Sequence, residues 1–219
     1  MQLVPSWRRR LELGARAEGM VRYKWGPGMA FLPDLGGGIC LPQVYCRSVR
    51  QIDGEPGAVQ FTDDVIFDSE SDSLLRLLVL VDDTKHAEAA MVELKDLNLE
   101  NASQGQVKTD EACFLVLSPS LEIQKPAILS STLRQRLYCL ATSEEFAASE
   151  LCTNRPRPIG YDMHRMRTET GGKRYVLVRQ DRFIFAACQS GQELINACQR
   201  ISSVLLEPSG SSALQVSKL

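Results

Sequence analysis

The sequence predicts an α/β domain, with a mixed sheet and helices against its faces. Three stretches carry that prediction. Residues 74–81 (LLRLLVLV) form a near-continuous apolar run, the pattern of a central strand buried on both faces. Residues 113–117 (CFLVL) repeat the pattern. Residues 175–206 read as strand, polar turn, strand and helix, with Leu194, Ile195, Cys198, Ile201, Val204 and Leu205 at helical spacing.

Taken in order, the chain opens with an arm, residues 1–40. A short helix is expected over residues 6–19, after Pro5. A Gly/Pro-rich run follows, in which Trp25, Met29, Phe31 and Leu32 are interleaved, so it reads as a packed loop. Gly36, Gly37 and Gly38 lack the strand–glycine–helix setting and the Gly-Lys-Ser/Thr ending of a phosphate cradle, and read as a turn. Residues 41–207 form the domain proper. A short strand is expected at 41–46 and another at 59–67 (VQFTDDVIF), where Asp63 and Asp64 would point to opposite faces and make poor co-ligands for a metal.

After the strand at 74–81, Asp82, Asp83 and Thr84 signal a helix start, and residues 85–97 read as helix, with Ala89, Ala90, Val92 and Leu97 among its small or apolar positions. Residues 99–110 read as polar loop. Beyond 113–117, a helix or strand is expected around 133–140 and a helical patch at 141–149. Arg155-Pro156-Arg157-Pro158 stops regular structure, and residues 161–170 read as a helix ended by Gly171 and Gly172. Residues 208–219 read as a disordered tail. The order strand–helix–strand, insertion, strand–strand–helix is the plan of a thioredoxin-like fold.

Composition narrows the function classes. Apolar and charged fractions of 44% and 24% suit a globular domain with a real core. A net charge of -2 gives no electrostatic case for nucleic acid. No apolar run reaches membrane-spanning length, and the first residues lack the apolar region of a secretory signal. The seven cysteines are odd in number, none is spaced C-x-x-C, and Cys113, Cys188 and Cys198 sit inside apolar elements. That pattern predicts reduced thiols in a cytoplasmic protein. The two histidines are far apart, so no zinc site is expected.

In a redox-active thioredoxin the reactive C-x-x-C lies where the first central strand turns into its helix, and the helix N-terminus lowers the thiol pKa. Here that corner reads Val81-Asp82-Asp83-Thr84-Lys85-His86 and holds no cysteine. The candidate acid/base residues are His86, beside Asp82, Asp83 and Glu88, and Tyr161. A surface role is the simpler reading of His86 and of His164. The family resemblance rests on residues 178–184, Val-Arg-Gln-Asp-Arg-Phe-Ile. This segment resembles the closing strand pair of the C-terminal domain of phenol hydroxylase-type FAD-dependent aromatic monooxygenases, which carries arginine-proline-aspartate-glycine. Arg179 and Asp181 match, whereas Gln180 and Arg182 replace the proline and glycine. Residues 35–44 are similar to the Gly- and Pro-rich approach to that domain, and residues 74–97 to its first strand and helix.

The resemblance implies a thioredoxin-like accessory domain, tied to aromatic or secondary metabolism, that supports dimerization or subunit contacts. The family's flavin-binding motifs do not occur in this sequence, so no cofactor is expected unless FAD is supplied by a partner subunit. The implied partners are a second copy of the chain or a flavoprotein monooxygenase. The alternative is a small isomerase or cyclase using a pocket between arm and domain, with His86 or Tyr161 as acid/base.

Overall fold

The computed structural model describes residues 30–49, 57–67, 72–118, 129–153 and 161–206. The expected helix at 6–19, Trp25 and Met29 of the arm, residues 155–158 and the tail lie outside them. Seven strands, β1 (Tyr45–Ser48), β2 (Val59–Phe61), β3 (Leu75–Val81), β4 (Cys113–Val116), β5 (Leu137–Leu140), β6 (Tyr175–Arg179) and β7 (Ile184–Cys188), form one mixed sheet. Their order is β2-β1-β5-β4-β3-β6-β7. The three middle strands β5, β4 and β3 run parallel, and β1, β2, β6 and β7 are joined by antiparallel pairings. The helices are α1 (Thr62–Ile66), α2 (Thr84–Asp96), α3 (Leu99–Ala102), α4 (Ser131–Arg136), α5 (Ser143–Ala148), α6 (Arg165–Glu169) and α7 (Gly191–Gln199).

Strand β3 is buried along its whole length, as its apolar run requires. Alternate side chains feed two cores. Leu75, Leu77, Val79 and Val81 face α2 and α7, while Leu78 and Leu80 face Ile66 of α1 and Met166 of α6. The α2 stripe is Ala87, Ala90, Met91 and Leu94, spaced i, i+3, i+4, i+7. Val92 falls off that stripe and is 62% exposed. Arg76, inside the apolar run, is buried and pairs with Glu111.

Four elements differ from the sequence reading. The strand expected at 41–46 runs over Tyr45–Ser48. The strand expected at 59–67 stops at Phe61. Thr62 then accepts a hydrogen bond from the Val44 N–H at 3.1 Å and donates its own N–H to the Val44 carbonyl at 3.0 Å. Asp63 and Asp64 fill the first turn of α1, where acidic groups suit the helix dipole. They therefore lie on a helix and not on opposite faces of a strand. The loop expected at 99–110 includes α3 and buries Leu99 and Val107 completely. The helix expected at 161–170 is confined to Arg165–Glu169.

Residues 31–41 are packed along the outer edge of β7. The Leu32 N–H donates to Phe185 O at 2.8 Å, the Gly38 N–H to Ile184 O at 2.9 Å and the Ile184 N–H to Ile39 O at 2.8 Å. This covers an edge that would otherwise offer unpaired backbone groups. The glycine run is explained by the closeness of that contact: a Cβ on Gly37 would meet Phe185 O at 2.4 Å. The expected division at residue 40 runs through this packed segment, because Phe31 and Leu32 belong to the main core.

Candidate functional site

The corner between β3 and α2 sits at the carboxyl ends of the parallel strands β3 and β4, where open α/β sheets tend to hold ligands. Asp83 caps α2: its Oδ1 accepts the His86 backbone N–H at 2.9 Å and lies 3.0 Å from His86 Nδ1. The capping N–H holds the Asp83 carboxyl below its ordinary 3.8. His86 is 60% exposed at the side chain. It lines a cleft of about 180 Å³ with Asp82, Leu117, Arg167, Lys173, Arg174 and Gln189.

Each of the three cations there has a carboxylate of its own. Arg167 pairs with Asp82, Arg174 Nη1 with Glu93 at 3.2 Å, and Lys173 Nζ with Glu193 at 3.9 Å. The pairs are half-exposed, so each contributes little to stability, and together they leave the cleft electrically balanced. No cysteine lines it.

Tyr161, the other candidate from sequence, does not line this cleft. Its ring stacks on Tyr45 at 4.3 Å, and Tyr45 stacks in turn on Phe146 at 3.9 Å. The Tyr161 hydroxyl accepts from the Tyr45 N–H at 3.1 Å and donates to Ala141 O at 3.2 Å. Burial pushes its pKa up to about 12. With both hydrogen bonds made to backbone, the phenol latches β1 to the end of β5 instead of facing a ligand. His86 and Tyr161 are thus two separate features.

All seven cysteines are free thiols. Cys46, Cys113, Cys139, Cys188 and Cys198 are buried, and burial raises their pKa values, to about 12 for Cys113, Cys188 and Cys198. Such thiols are poor nucleophiles at neutral pH. Among the described residues, no group of three or more His, Cys, Asp or Glu side chains could hold a metal ion, and no helix is long and apolar enough to cross a membrane.

Sequence reasoning missed a second, larger cleft of about 760 Å³ at the β2 side of the sheet. Ala58, Val59, Ala148 and Leu151 are among its walls, and Arg47 and Glu145 line it together. Arg47 is buried on β1, with Nη2 3.1 Å from Glu145 Oε1. Glu145 Oε2 accepts the Thr142 N–H at 2.7 Å, and Thr142 returns a hydroxyl acceptor to the Glu145 N–H at 3.2 Å, a capping box that starts α5. The Thr-x-x-Glu spacing at 142–145 was a readable signal for that helix start. Nothing local marks Arg47, in the polar stretch CRSVR, as a buried residue. No family model, curated protein or solved structure matches this chain.

Proposed function

We propose that this chain is an accessory or interaction domain, related to the C-terminal domain of phenol hydroxylase-type flavoprotein monooxygenases and without thiol–disulfide chemistry of its own. The β3–α2 corner carries this reading. In a redox thioredoxin that position presents two cysteines, whereas here Asp83 caps the helix and His86 faces solvent.

Three further observations support it. The run β4-β3-β6-β7, with β3 and β4 parallel and the later pair antiparallel, is the arrangement a thioredoxin-like plan calls for. Arg179 and Asp181, the two residues that match the family's motif, hold each other across the β6–β7 turn, Nη2 to Oδ2 at 2.6 Å. Arg182, at the motif's glycine position, has a left-handed φ of 69°. Its partner is a second copy of the chain or a monooxygenase subunit, in a reducing cytoplasm that keeps its thiols free. The isomerase or cyclase reading has less support, since Tyr161 is committed to backbone hydrogen bonds.

Mixing the purified chain with FAD tests the proposal directly. The expected result is a free-flavin spectrum and no reduction of insulin disulfides in the presence of dithiothreitol beyond the reagent's own rate. Stoichiometric tight flavin binding, or catalysed insulin reduction, would sink it. Sedimentation of the chain alone then separates self-association from dependence on another subunit.

A further inference from the structure

We propose that the outer edge of β2, with the cleft beside it, docks an extended peptide of another protein, one that carries an apolar residue and, two positions away, a lysine or arginine. The two edges of the sheet differ. Residues 31–41 cover β7, whereas no strand of the described residues pairs with the outer side of β2.

The register aims one backbone pair outward. The Ala141 N–H donates to Tyr45 O at 2.8 Å and the Val49 N–H to Leu137 O at 2.9 Å. Backbone groups alternate in direction along a strand, so Tyr45, Arg47 and Val49 turn theirs toward β5, and Cys46 turns to its partner Gln60 on β2. Val59 lies opposite Arg47, so its N–H and C=O leave the sheet at the edge. No hydrogen bond among the described residues engages either group. An incoming strand gains both bonds by pairing there.

The cleft supplies the selectivity. Gly57, Ala58, Val59 and Gln60 line it in succession, so it follows the edge of the strand, and Ala148 and Leu151 line it from the α5 side. A peptide residue paired with Val59 projects its side chain to the same face as Val59, the face of α5, where those two residues offer apolar contact. Two positions along the peptide, the side chain is on that face again. Arg47 is matched by Glu145 at 3.1 Å, whereas Glu150 is exposed and has no ion pair among the described residues. The surplus charge of the lining is therefore negative, which favours a cationic side chain and disfavours an acidic peptide. This surface gives the interaction role proposed above a place and a partner chemistry. It rests on that role only for its use in the cell: flavin binding would sink the role and leave the peptide measurement as it stands.

The probe is the synthetic peptide Ser-Val-Thr-Val-Thr-Lys-Ser, amidated and labelled with fluorescein at its amino end, in which both valines and the lysine share one face. A saturable rise in anisotropy at one peptide per chain is expected. N-methylation of both valine nitrogens removes the donors to Val59 O and keeps the side chains, and should weaken binding by about tenfold or more. Val59→Pro deletes the outward donor at a position where an edge strand tolerates proline. Independently, Ala148→Trp fills the cleft from an exposed position. Each variant should keep the wild-type circular dichroism spectrum and weaken the peptide by about tenfold.

Exchanging the peptide's lysine for glutamine should weaken binding about threefold on the wild-type chain, the scale of an exposed ion pair, and not at all on Glu150→Gln. No saturation below about 1 mM, or equal binding of the N-methylated peptide, overturns the docking site. Equal binding of the lysine and glutamine peptides by the wild-type chain overturns the role given to Glu150. Self-association of the chain that Val59→Pro abolishes, with no peptide bound, would assign the edge to a second copy and equally overturn the proposal.

Discussion

Arg182 reaches Asp63 from a backbone conformation that L-residues rarely adopt: Nε lies 2.9 Å from Oδ2, and Arg182 has φ 69°. The pair joins the β6–β7 turn to α1, on the far side of the sheet from α2 and α7. It is close but poorly directed, since Nε has no hydrogen-bond partner of good geometry. Burial raises the Asp63 pKa, and Arg182 only partly opposes that rise.

The left-handed turn and the ion pair can be separated by two substitutions. Arg182→Ala loses the pair and keeps the unfavourable φ. Arg182→Gly loses the pair and relieves the φ. The glycine variant should therefore be more stable than the alanine variant by about 1 kcal/mol. Urea denaturation of the two proteins reads this difference. Equal midpoints would mean that the turn carries no conformational cost.

Gly37 and Gly105 give a contrast of a different kind. A Cβ on Gly37 would collide with Phe185 O at 2.4 Å and with Leu32 backbone at 2.8 Å, whereas one on Gly105 meets nothing within 4 Å. Gly105 is constrained only by its φ of 80°. Gly105→Ala should cost about 1 kcal/mol. Gly37→Ala must push residues 31–41 off the edge of β7, and should cost about 3 kcal/mol or more. Faster exchange of the Leu32 and Gly38 amide hydrogens in Gly37→Ala would locate the damage.

These glycines also show what the sequence could and could not say. The run at 36–38 was legible as a turn because no helix start follows it. Its docking on β7 was not, since a residue's distance to a strand some 150 positions later leaves no local mark. The strands at 75–81, 113–116, 175–179 and 184–188 were legible because burial on both faces demands a nearly continuous apolar run, and apolar composition is visible in one dimension. Strand β2 has three residues, too few to show a period, and its continuation into α1 is decided by Thr62 bonding to Val44. His86 could be placed at a helix start from Asp83 alone. The tertiary role of Tyr161 depends on Tyr45 and Ala141, which no spacing connects. The cleft lined by Arg47 was hidden for the same reason.

The thiols make a prediction about pH. Cys113, Cys188 and Cys198 have folded pKa values of about 12 against an ordinary 9.0, because burial disfavours the thiolate. A folded pKa above the unfolded one gives a contribution that is complete below pH 9 and is lost as pH rises through 12. Tyr161, raised from 10.0 to about 12, adds to the same window. The melting temperature should fall steeply between pH 9 and 12, and less steeply in Cys113→Ala. At pH 8, a thiol reagent should label the half-buried Cys40 and Cys152 first, and the five buried thiols only at the rate of opening. Rapid labelling of all seven would contradict the burial on which the non-redox reading leans.

Thr142 and Glu145 divide the work at the start of α5. Thr142→Ala removes the hydroxyl acceptor for the Glu145 N–H and should cost about 1 kcal/mol, the usual effect of losing an N-cap. Glu145→Ala removes the return bond to the Thr142 N–H and also leaves the buried Arg47 without its carboxylate. Breaking a fully buried pair costs about 3–5 kcal/mol. Glu145 is one-third exposed at the side chain, which lets water take over part of its role, so about 2 kcal/mol is the expected loss. Glu145→Gln keeps an acceptor for both partners and should fall between the two alanine variants. If Glu145→Ala cost no more than Thr142→Ala, the pairing with Arg47 would be energetically idle, and Arg47 would be held in place by packing alone.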